Sequence, residues 1–203
     1  PTHSLQDTIS ELEGSLNCAV IDIFQNVEEE VLGSGSISQV HRCKLQGCND
    51  KLVVKVMHPH VRSDIEATVT ALNDMLWLIL LLIPQLRIIN PQSVIRSVQM
   101  QTNYTLEARN QIEMEDIMRP LGFVHVPRIL MYGRGHIVQE ECFGHTRQEI
   151  AESYPEYMID MSEKTMIAYF WMVYNGLVHS DLHDGNVLYH IDPEDDANNK
   201  LII

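Results

Sequence analysis

The feature that most constrains the fold is a short polar stretch, His179–Asn186 (HSDLHDGN), between two apolar runs. Gly176–Val178 precedes this stretch and Val187–Tyr189 follows it, so buried elements are predicted on both sides. Two histidines, two aspartates, a glycine and an asparagine then lie in a loop between buried elements. Binding and catalytic residues are concentrated in such loops.

Two residues of this loop carry the most specific chemistry. Asp181 can orient a hydroxyl group or accept its proton, and Asn186 can offer a carbonyl oxygen to a hard cation. Their Asp-x4-Asn spacing is that of the catalytic loop in protein-kinase-like phosphotransferases. Two alternatives remain open: a polar turn without catalytic function, and a zinc or iron site in a metallohydrolase built on His179, Asp181 and His183.

The composition limits the class of protein. The chain has 203 residues, of which 45% are hydrophobic and 21% charged, and this balance is typical of one or two folded domains. The formal net charge of -14 argues against a nucleic-acid-binding surface, which needs a basic stripe. A nucleotide remains compatible with this charge, because backbone amides, one lysine and metal ions can hold phosphates locally.

Three further elements fit phosphoryl transfer from ATP, in the order that a kinase fold requires. A small-residue loop can approach phosphates closely, and it comprises Gly33, Ser34, Gly35 and Ser36. Lys55 lies within an apolar strand, where a lysine is costly to bury unless it is paired or bound to a ligand. Glu107 lies on a predicted helix. Each has a simpler reading by itself: a hairpin turn, an edge lysine and a surface glutamate.

Hydrophobic periodicity and turn residues predict an alternation of helices and strands. Helices are expected at Leu5–Glu13, Ala19–Asn26, from Pro59 onward, from Asn90–Pro91 to about Met118, and at Thr146–Ser153 and Ser162–Tyr174. Strands are expected at Glu28–Leu32, Gln39–Leu45, Leu52–Met57, Val126–Tyr132, His136–Cys142, Val187–Ile191 and Leu201–Ile203.

The most apolar run, Met75–Ile83, has about half the length needed to span a bilayer. It predicts a buried helix end, and the alternative is a patch that faces a membrane or a partner. We expect no transmembrane segment in this chain. No signal or transit peptide is visible either.

Four strings of this chain, GSGSISQVH, VVKVMHPHV, YTLEARN and VHSDLHDGN, resemble the UbiB/aarF-domain family of atypical, protein-kinase-like proteins. The resemblance runs from about residue 8 to the last residue. It implies an α+β, bilobal protein-kinase-like fold. The expected N-lobe, residues 1–143, carries an N-terminal helical extension and a helical insert. The expected start of the C-lobe, residues 144–203, includes the catalytic loop.

The resemblance also implies ATP and Mg²⁺ as cofactors and gives roles to individual residues. Lys55 would contact the ATP phosphates and pair with Glu107, and Asp181 would be the catalytic-loop aspartate. Asn186 would bind magnesium. The loop from Gly33 to Ser36 would cover the nucleotide, and Glu140 or Glu141 would lie near the adenine ring.

The chain departs from the family pattern at several positions. Asp184 replaces the proline after the second loop histidine. Gln101 and Asn103 stand where the family usually has an acidic E-x-D pair. The magnesium-binding aspartate of the D-F-G type would come directly after Ile203, so the chain as given is expected to be an inactive fragment of a longer parent.

Two functions follow as expectations. In the first, the parent is an ATP-dependent atypical kinase or ATPase that supports ubiquinone (coenzyme Q) biosynthesis. It would be mitochondrial in a eukaryote, and cytoplasmic or membrane-associated otherwise, with lipid or quinone-pathway proteins as partners. In the second, it is a pseudokinase-like module that binds nucleotide, lipid or a partner without phosphoryl transfer.

Overall fold

The computed structural model describes residues 2–82, 96, 100, 102–178, 182–183 and 185–203. It combines α-helices with two β-sheets, which confirms the predicted α+β class. The chain divides into two compact units. The first contains Pro1–Ala108 and Met131–Val138, and the second contains Arg109–Leu130 and Gln139–Ile203. The predicted division after residue 143 stays a prediction.

The described part of the chain contains these helices and strands. The helices are α1 (Leu5–Leu16), α2 (Val20–Ile23), α3 (Val61–Leu82), α4 (Tyr104–Met118), α5 (Arg147–Ser153) and α6 (Met158–Asn175), with 3₁₀ turns at Arg119–Leu121, Pro155–Tyr157 and Asp196–Asn198. The strands are β1 (Phe24–Ser34), β2 (Ser38–Leu45), β3 (Leu52–Met57), β4 (Val124–His125), β5 (Ile129–Tyr132), β6 (His136–Glu140), β7 (Leu188–His190) and β8 (Lys200–Ile202).

Helix α1 begins at a side-chain cap and ends at a residue in the left-handed conformation. Ser4 and Asp7 form a reciprocal capping box at its start. The helix continues past Gly14, where it was predicted to end. It stops at Asn17, which has a φ of 58° and donates its backbone N–H to the carbonyl of Glu13. Asparagine tolerates this left-handed conformation better than most residues.

The five-stranded sheet has the order β1-β2-β3-β6-β5. Strands β1, β2 and β3 are consecutive antiparallel neighbours, and helix α1 packs on β3. The predicted helix Ala19–Asn26 is shorter than expected, because the buried Phe24 already pairs with Leu45 as the first residue of β1. Tertiary burial of Phe24 therefore outweighs the local helical pattern.

Helix α3 corrects the expectation of a buried helix end. The predicted inner stripe, which includes Ile65, Val69, Leu72 and Leu76, is half-buried. Apolar side chains on the other positions are between 50% and 70% exposed, and they are Met75, Trp77, Leu78 and Leu82. The apolar run is wider than the stripe that packing covers, so these four side chains face solvent. None of the helices in the described residues is long and apolar enough to cross a membrane.

The second unit has a core of its own, in which α4, α5 and α6 bury Met114, Ile150 and Met172 with Tyr189 and Leu201. Its small sheet has the order β4-β8-β7, with β4 parallel to β8 and β7 antiparallel to β8.

The predicted strand Val126–Tyr132 is wrong at its start. Strand β4 ends at His125, and β5 begins only at Ile129. Pro127 lies between them and has no backbone N–H to donate to a strand neighbour, so the pairing is interrupted there.

Candidate functional site

The first unit brings Lys55 and Glu107 together. Lys55 is the only residue of β3 that is not buried, and its Nζ lies 2.7 Å from Oε1 of Glu107. Glu107 stands in the first turn of α4, where the partial positive charge of the helix N-terminus favours a carboxylate. The side chains are 33% and 39% exposed, so solvent or a ligand can reach the pair.

A buried aromatic ring supports the lysine. Nζ of Lys55 lies 5.3 Å from the ring centroid of Tyr104, whose residue is only 1% exposed. Burial raises the pKa of the Tyr104 phenol, so the ring stays neutral beneath the ammonium group. An ammonium group has three N–H donors, and within the described residues one of them is hydrogen-bonded, to Glu107. The remaining donors can bind an anionic ligand.

Gly33 and Ser34 of the small-residue loop are the last two residues of β1, and Gly35 and Ser36 lie in the turn to β2; all four are exposed. Its backbone turns tightly, with the Gly35 N–H donated to the Ser38 carbonyl at 2.9 Å. In the sheet register, Gly33 pairs with Val40 and Val40 pairs with Lys55. Residues opposite each other in neighbouring strands share one face of a sheet. The start of the loop and Lys55 therefore lie on one face.

The HSDLHDGN loop is described in part. His179, Ser180, Asp181 and Asp184 lie outside the described residues, so the structure does not place the predicted catalytic aspartate.

The described end of this loop is organised around the His183 ring. Nδ1 of His183 accepts the Gly185 N–H at 3.0 Å, and its Nε2 lies 3.3 Å from the carboxamide nitrogen of Asn186. A Cβ atom on Gly185 would lie 2.8 Å from the imidazole, so a larger residue would displace the ring. Asn186 is exposed, and His183 acts as a scaffold for it.

Glu140 and Glu141 lie at the end of β6 and directly after it. The Glu140 carboxylate contacts Nε2 of His125 at 3.1 Å and accepts the backbone N–H of Arg128 at 3.3 Å. It therefore supports the turn between β4 and β5. Glu141 is half-buried, and the predicted role of either residue near an adenine ring stays a prediction.

A three-ligand group occurs at His125, Glu140 and Cys142, whose potential ligand atoms lie within 4.8 Å of one another. Burial, followed by the charges of Glu140 and Glu141, raises the pKa of the Cys142 thiol to about 12. The Glu140 carboxylate of this group already contacts Nε2 of His125 and accepts the Arg128 N–H, so two of the three potential ligands are engaged within the protein. We assign no metal to this group. In the described ranges, no three-ligand group includes His183.

Tyr104, three residues before Glu107, was not among the predicted site residues, although its ring lies beneath the Lys55 ammonium group. The three-residue spacing on a helix could have indicated that both side chains lie on one face. The sequence also gave no indication of the hydrogen bonds that join His58 to the small-residue loop of Gly33 to Ser36, the glycine-rich loop.

Comparison with known proteins gives consistent matches along the whole chain. The family model of the ABC1 atypical kinase-like domain matches residues 1–202. The probable serine/threonine-protein kinase abkC of Dictyostelium discoideum is 30% identical, with 100% of this chain and 30% of that protein covered. The probable protein kinase UbiB of Aeromonas hydrophila is 26% identical, with 87% and 34% covered. The chain thus spans about a third of the length of these relatives.

Two solved structures share the fold. The erythromycin complex of Rv3197 from Mycobacterium tuberculosis superposes with a TM-score of 0.82 at 22% identity, covering 100% of this chain and 51% of that one. The Rio2 kinase from Chaetomium thermophilum, in its ADP/Mg²⁺-phosphoaspartate complex, gives a TM-score of 0.51 at 18% identity, covering 89% and 46%. The predicted protein-kinase-like fold is confirmed.

Proposed function

The chain belongs to the ABC1 atypical kinase-like family, which confirms the predicted UbiB/aarF resemblance, and we propose that it is the nucleotide-binding part of an ATP-dependent atypical kinase or ATPase. The observation that carries this proposal is the ion pair between Lys55 and Glu107. It joins a strand to a helix across 52 positions of sequence, and in the part of the chain that the structure describes it leaves two of the three N–H donors of Lys55 for an anion.

The residues of the first unit fit the phosphates of a nucleotide. Glu107 and the Tyr104 ring hold the ammonium group of Lys55 in one place, where it would neutralise phosphate charge. The exposed loop from Gly33 to Ser36 starts on the same face of the sheet, and its small residues would let the backbone approach the phosphates closely beside the fixed donors of Lys55. Fixed donors of this kind stabilise the charge that develops during phosphoryl transfer.

The HSDLHDGN loop would bind magnesium and orient the hydroxyl group or water molecule that accepts the phosphoryl group. The Asn186 carboxamide is exposed, and its oxygen is a suitable ligand for a hard cation such as Mg²⁺. When bound, the cation would screen the phosphate charges. Asp181 would orient the hydroxyl group or water molecule that attacks the terminal phosphate, as its Asp-x4-Asn spacing predicts.

The wider role that we propose for the parent protein is support of ubiquinone biosynthesis, in the mitochondrion if the organism is a eukaryote and otherwise in the cytoplasm or at a membrane. This role rests on the resemblance to proteins named UbiB and AarF domain-containing protein kinase. Lipid or quinone-pathway proteins are the partners that this role predicts.

A binding module without phosphoryl transfer is the second candidate, and Asn103 favours it. Asn103 stands where the family usually has an acidic residue, and its side-chain oxygen accepts the Leu106 N–H at 3.0 Å at the start of α4. In this chain the position therefore caps a helix, whereas a carboxylate there could also bind a cation.

Magnesium-dependent ATP hydrolysis by the purified full-length protein tests the proposal. The kinase or ATPase function predicts a strong loss of rate in both Lys55→Ala and Asp181→Asn. Equal rates in all three proteins would exclude it. Nucleotide binding that Lys55→Ala removes, with no turnover in the unmodified protein, would establish the binding module. Stoichiometric zinc or iron that is lost in His183→Ala would instead support a metallohydrolase.

A further inference from the structure

The buried histidine His58 forms hydrogen bonds with the glycine-rich loop and the residue that follows it. His58 follows β3 and is 9% exposed. Its backbone N–H is donated to the Ile37 carbonyl at 2.8 Å, and its Nε2 lies 3.1 Å from the Gly35 carbonyl oxygen. Because a carbonyl only accepts hydrogen bonds, Nε2 must carry the proton. Both the backbone and the ring of His58 therefore hold the turn between β1 and β2.

The other ring nitrogen of His58, Nδ1, contacts His3. A neutral imidazole with its proton on Nε2 must accept at Nδ1, and Nδ1 of His58 lies 2.6 Å from Nδ1 of His3. His3 must then donate from Nδ1 and accept at Nε2, which lies 3.0 Å from Oγ1 of Thr8. Thr8 therefore donates to His3, His3 to His58, and His58 to Gly35. Burial and then the nearby His58 lower the pKa of His3, consistent with a neutral His3 ring.

The donor His3 is fixed to the sheet by hydrogen bonds to Gln39. Gln39 accepts the His3 N–H at 3.0 Å and donates to the His3 carbonyl at 3.1 Å. It also donates to Oγ1 of Thr8 at 3.2 Å. Gln39 and Thr8 are fully buried, and hydrogen bonds between buried polar groups are costly to break.

The loop itself has little packing to hold it. A Cβ atom on Gly33 would meet no atom within 4 Å, and one on Gly35 would meet only the Ser38 carbonyl at 4.0 Å. Glycine is also the residue with the widest choice of backbone conformations. The position of the Gly35 peptide therefore depends on its hydrogen bonds, namely N–H to Ser38 and carbonyl to His58.

We propose that His58 is a positioning residue for the nucleotide site. Its hydrogen bond to the Gly35 carbonyl holds the glycine-rich loop in the conformation that binds phosphate. The N-terminal segment, residues 3–8, controls the position of His58 through His3. The proposal rests on the proposed nucleotide function. A loop that is ordered before binding loses less conformational entropy when the nucleotide binds, so affinity rises without any contact between His58 and the ligand.

Two variants of His58 separate this role from a merely structural one. In His58→Gln the side-chain amide reaches the place of Nε2 and can still donate to the Gly35 carbonyl. In His58→Asn the amide reaches only the place of Nδ1, so it can retain the contact with His3 but not the one with Gly35. Both variants remove the same ring, and we expect them to lower the melting temperature equally. The exposed His60→Asn is the matched control, because asparagine tolerates the φ of 67° at this position.

The measurements are the dissociation constant for MgATP, by calorimetry, and amide hydrogen exchange of a peptide that covers residues 33–38. We expect His58→Asn to weaken MgATP binding about tenfold and to speed this exchange. In His58→Gln and His60→Asn the affinity should stay within about threefold of the unmodified protein. Equal losses in His58→Asn and His58→Gln, or no loss in either, would overturn the proposal.

A second variant keeps the test decisive if His58→Asn does not fold. His3→Ala leaves the His58 ring in place but removes its donor, so we expect weaker MgATP binding and faster exchange of residues 33–38. Unchanged values for both would refute control by the N-terminal segment. If the unmodified protein binds no MgATP, the nucleotide function itself fails. The exchange data then still show whether His58 holds the loop.

Discussion

Two clusters in this protein each contain a lysine, a carboxylate and a tyrosine ring, but they differ in the hydrogen bonds of the lysine and in its exposure. In the first unit, Lys55 lies 2.7 Å from a carboxylate and 5.3 Å from the centre of a buried tyrosine ring. In the second, Lys164 lies 2.8 Å from Asp160 and 5.5 Å from the centre of the Tyr189 ring. Distances alone therefore do not indicate which lysine serves a ligand.

The difference lies in how many hydrogen bonds each lysine makes and how exposed it is. Lys164 also donates to the Asn199 carbonyl at 2.9 Å, and its side chain is 15% exposed, against 33% for Lys55. The hydroxyl of Tyr189 donates to Asp160, so the second cluster is closed by contacts within the protein. A lysine that makes one hydrogen bond among the described residues and is open to solvent fits a ligand, whereas one that makes two and is more shielded fits a structural role.

The largest expected effect is on catalysis. Lys55→Met should lower the rate of MgATP hydrolysis by about 100-fold or more, because the charge that would neutralise phosphate is lost. Its unfolding free energy should change by less than about 1 kcal/mol, since the ion pair is partly exposed. Phosphate release and urea denaturation of the same preparation measure both quantities. A large loss of stability in Lys55→Met would show that Lys55, like Lys164, has a structural role.

In the second cluster we expect the opposite pattern, a loss of stability with little change in activity. Lys164→Met should lower the unfolding free energy by about 1–3 kcal/mol, because Asp160 and the buried Asn199 each lose a donor. The rate of hydrolysis per folded molecule should stay within about twofold of the unmodified value. Denaturation with urea gives the first quantity, and activity well below the midpoint gives the second. Loss of activity without loss of stability would contradict the structural role.

Acidification should affect the first unit through its buried histidines. Burial lowers the pKa of His136, and burial followed by the nearby His58 lowers that of His3. The unfolded chain then binds more protons below about pH 6.5, so the unfolding free energy should fall as the pH drops from 7 to 5. The slope is at most about 1.4 kcal/mol per pH unit for each proton.

The variant His136→Asn tests the origin of this slope. Nε2 of His136 is buried without a hydrogen-bond partner among the described residues, while Nδ1 contacts Oγ of Ser15 at 2.8 Å. Asparagine can keep the contact with Ser15 but does not titrate, so we expect a shallower slope in urea denaturation between pH 7 and 5. The pKa of carboxylates such as Asp7 is also lowered, by hydrogen bonds from Ser4, but they titrate below this range. An unchanged slope would exclude His136 as its source.

The smallest expected effect distinguishes the two tyrosines. Tyr189→Phe should cost about 1–2 kcal/mol of unfolding free energy, because a hydrogen bond to the charged Asp160 is lost. Tyr104→Phe should cost close to zero. The Tyr104 hydroxyl is buried and makes no well-formed hydrogen bond within the described part of the chain, although the nearby Ser38 hydroxyl favours its ionised form. Thermal denaturation of both variants measures the difference, and equal losses would show that Tyr104 has a partner of similar strength.

Much of the local structure could be predicted from the sequence, because it depends on short-range patterns. Strand Leu52–Met57 was predicted with its observed bounds, and the helix around Ser162–Tyr174 was predicted four residues too short at its start. The apolar run Met75–Ile83 was misjudged, because its local hydrophobicity does not reveal how much surface is available to cover it.

The sequence by itself determined the family, the order of the elements and the residue types at the proposed nucleotide site. Short strings such as GSGSISQVH and YTLEARN indicate the family, since each occurs once and they follow one another in the family's order along the chain. Only the tertiary structure decided which lysine is more exposed and makes fewer hydrogen bonds among the described residues, and which histidine holds the glycine-rich loop. These properties depend on strand register and burial, which bring together residues far apart in sequence, such as Thr8, Gly35 and His58.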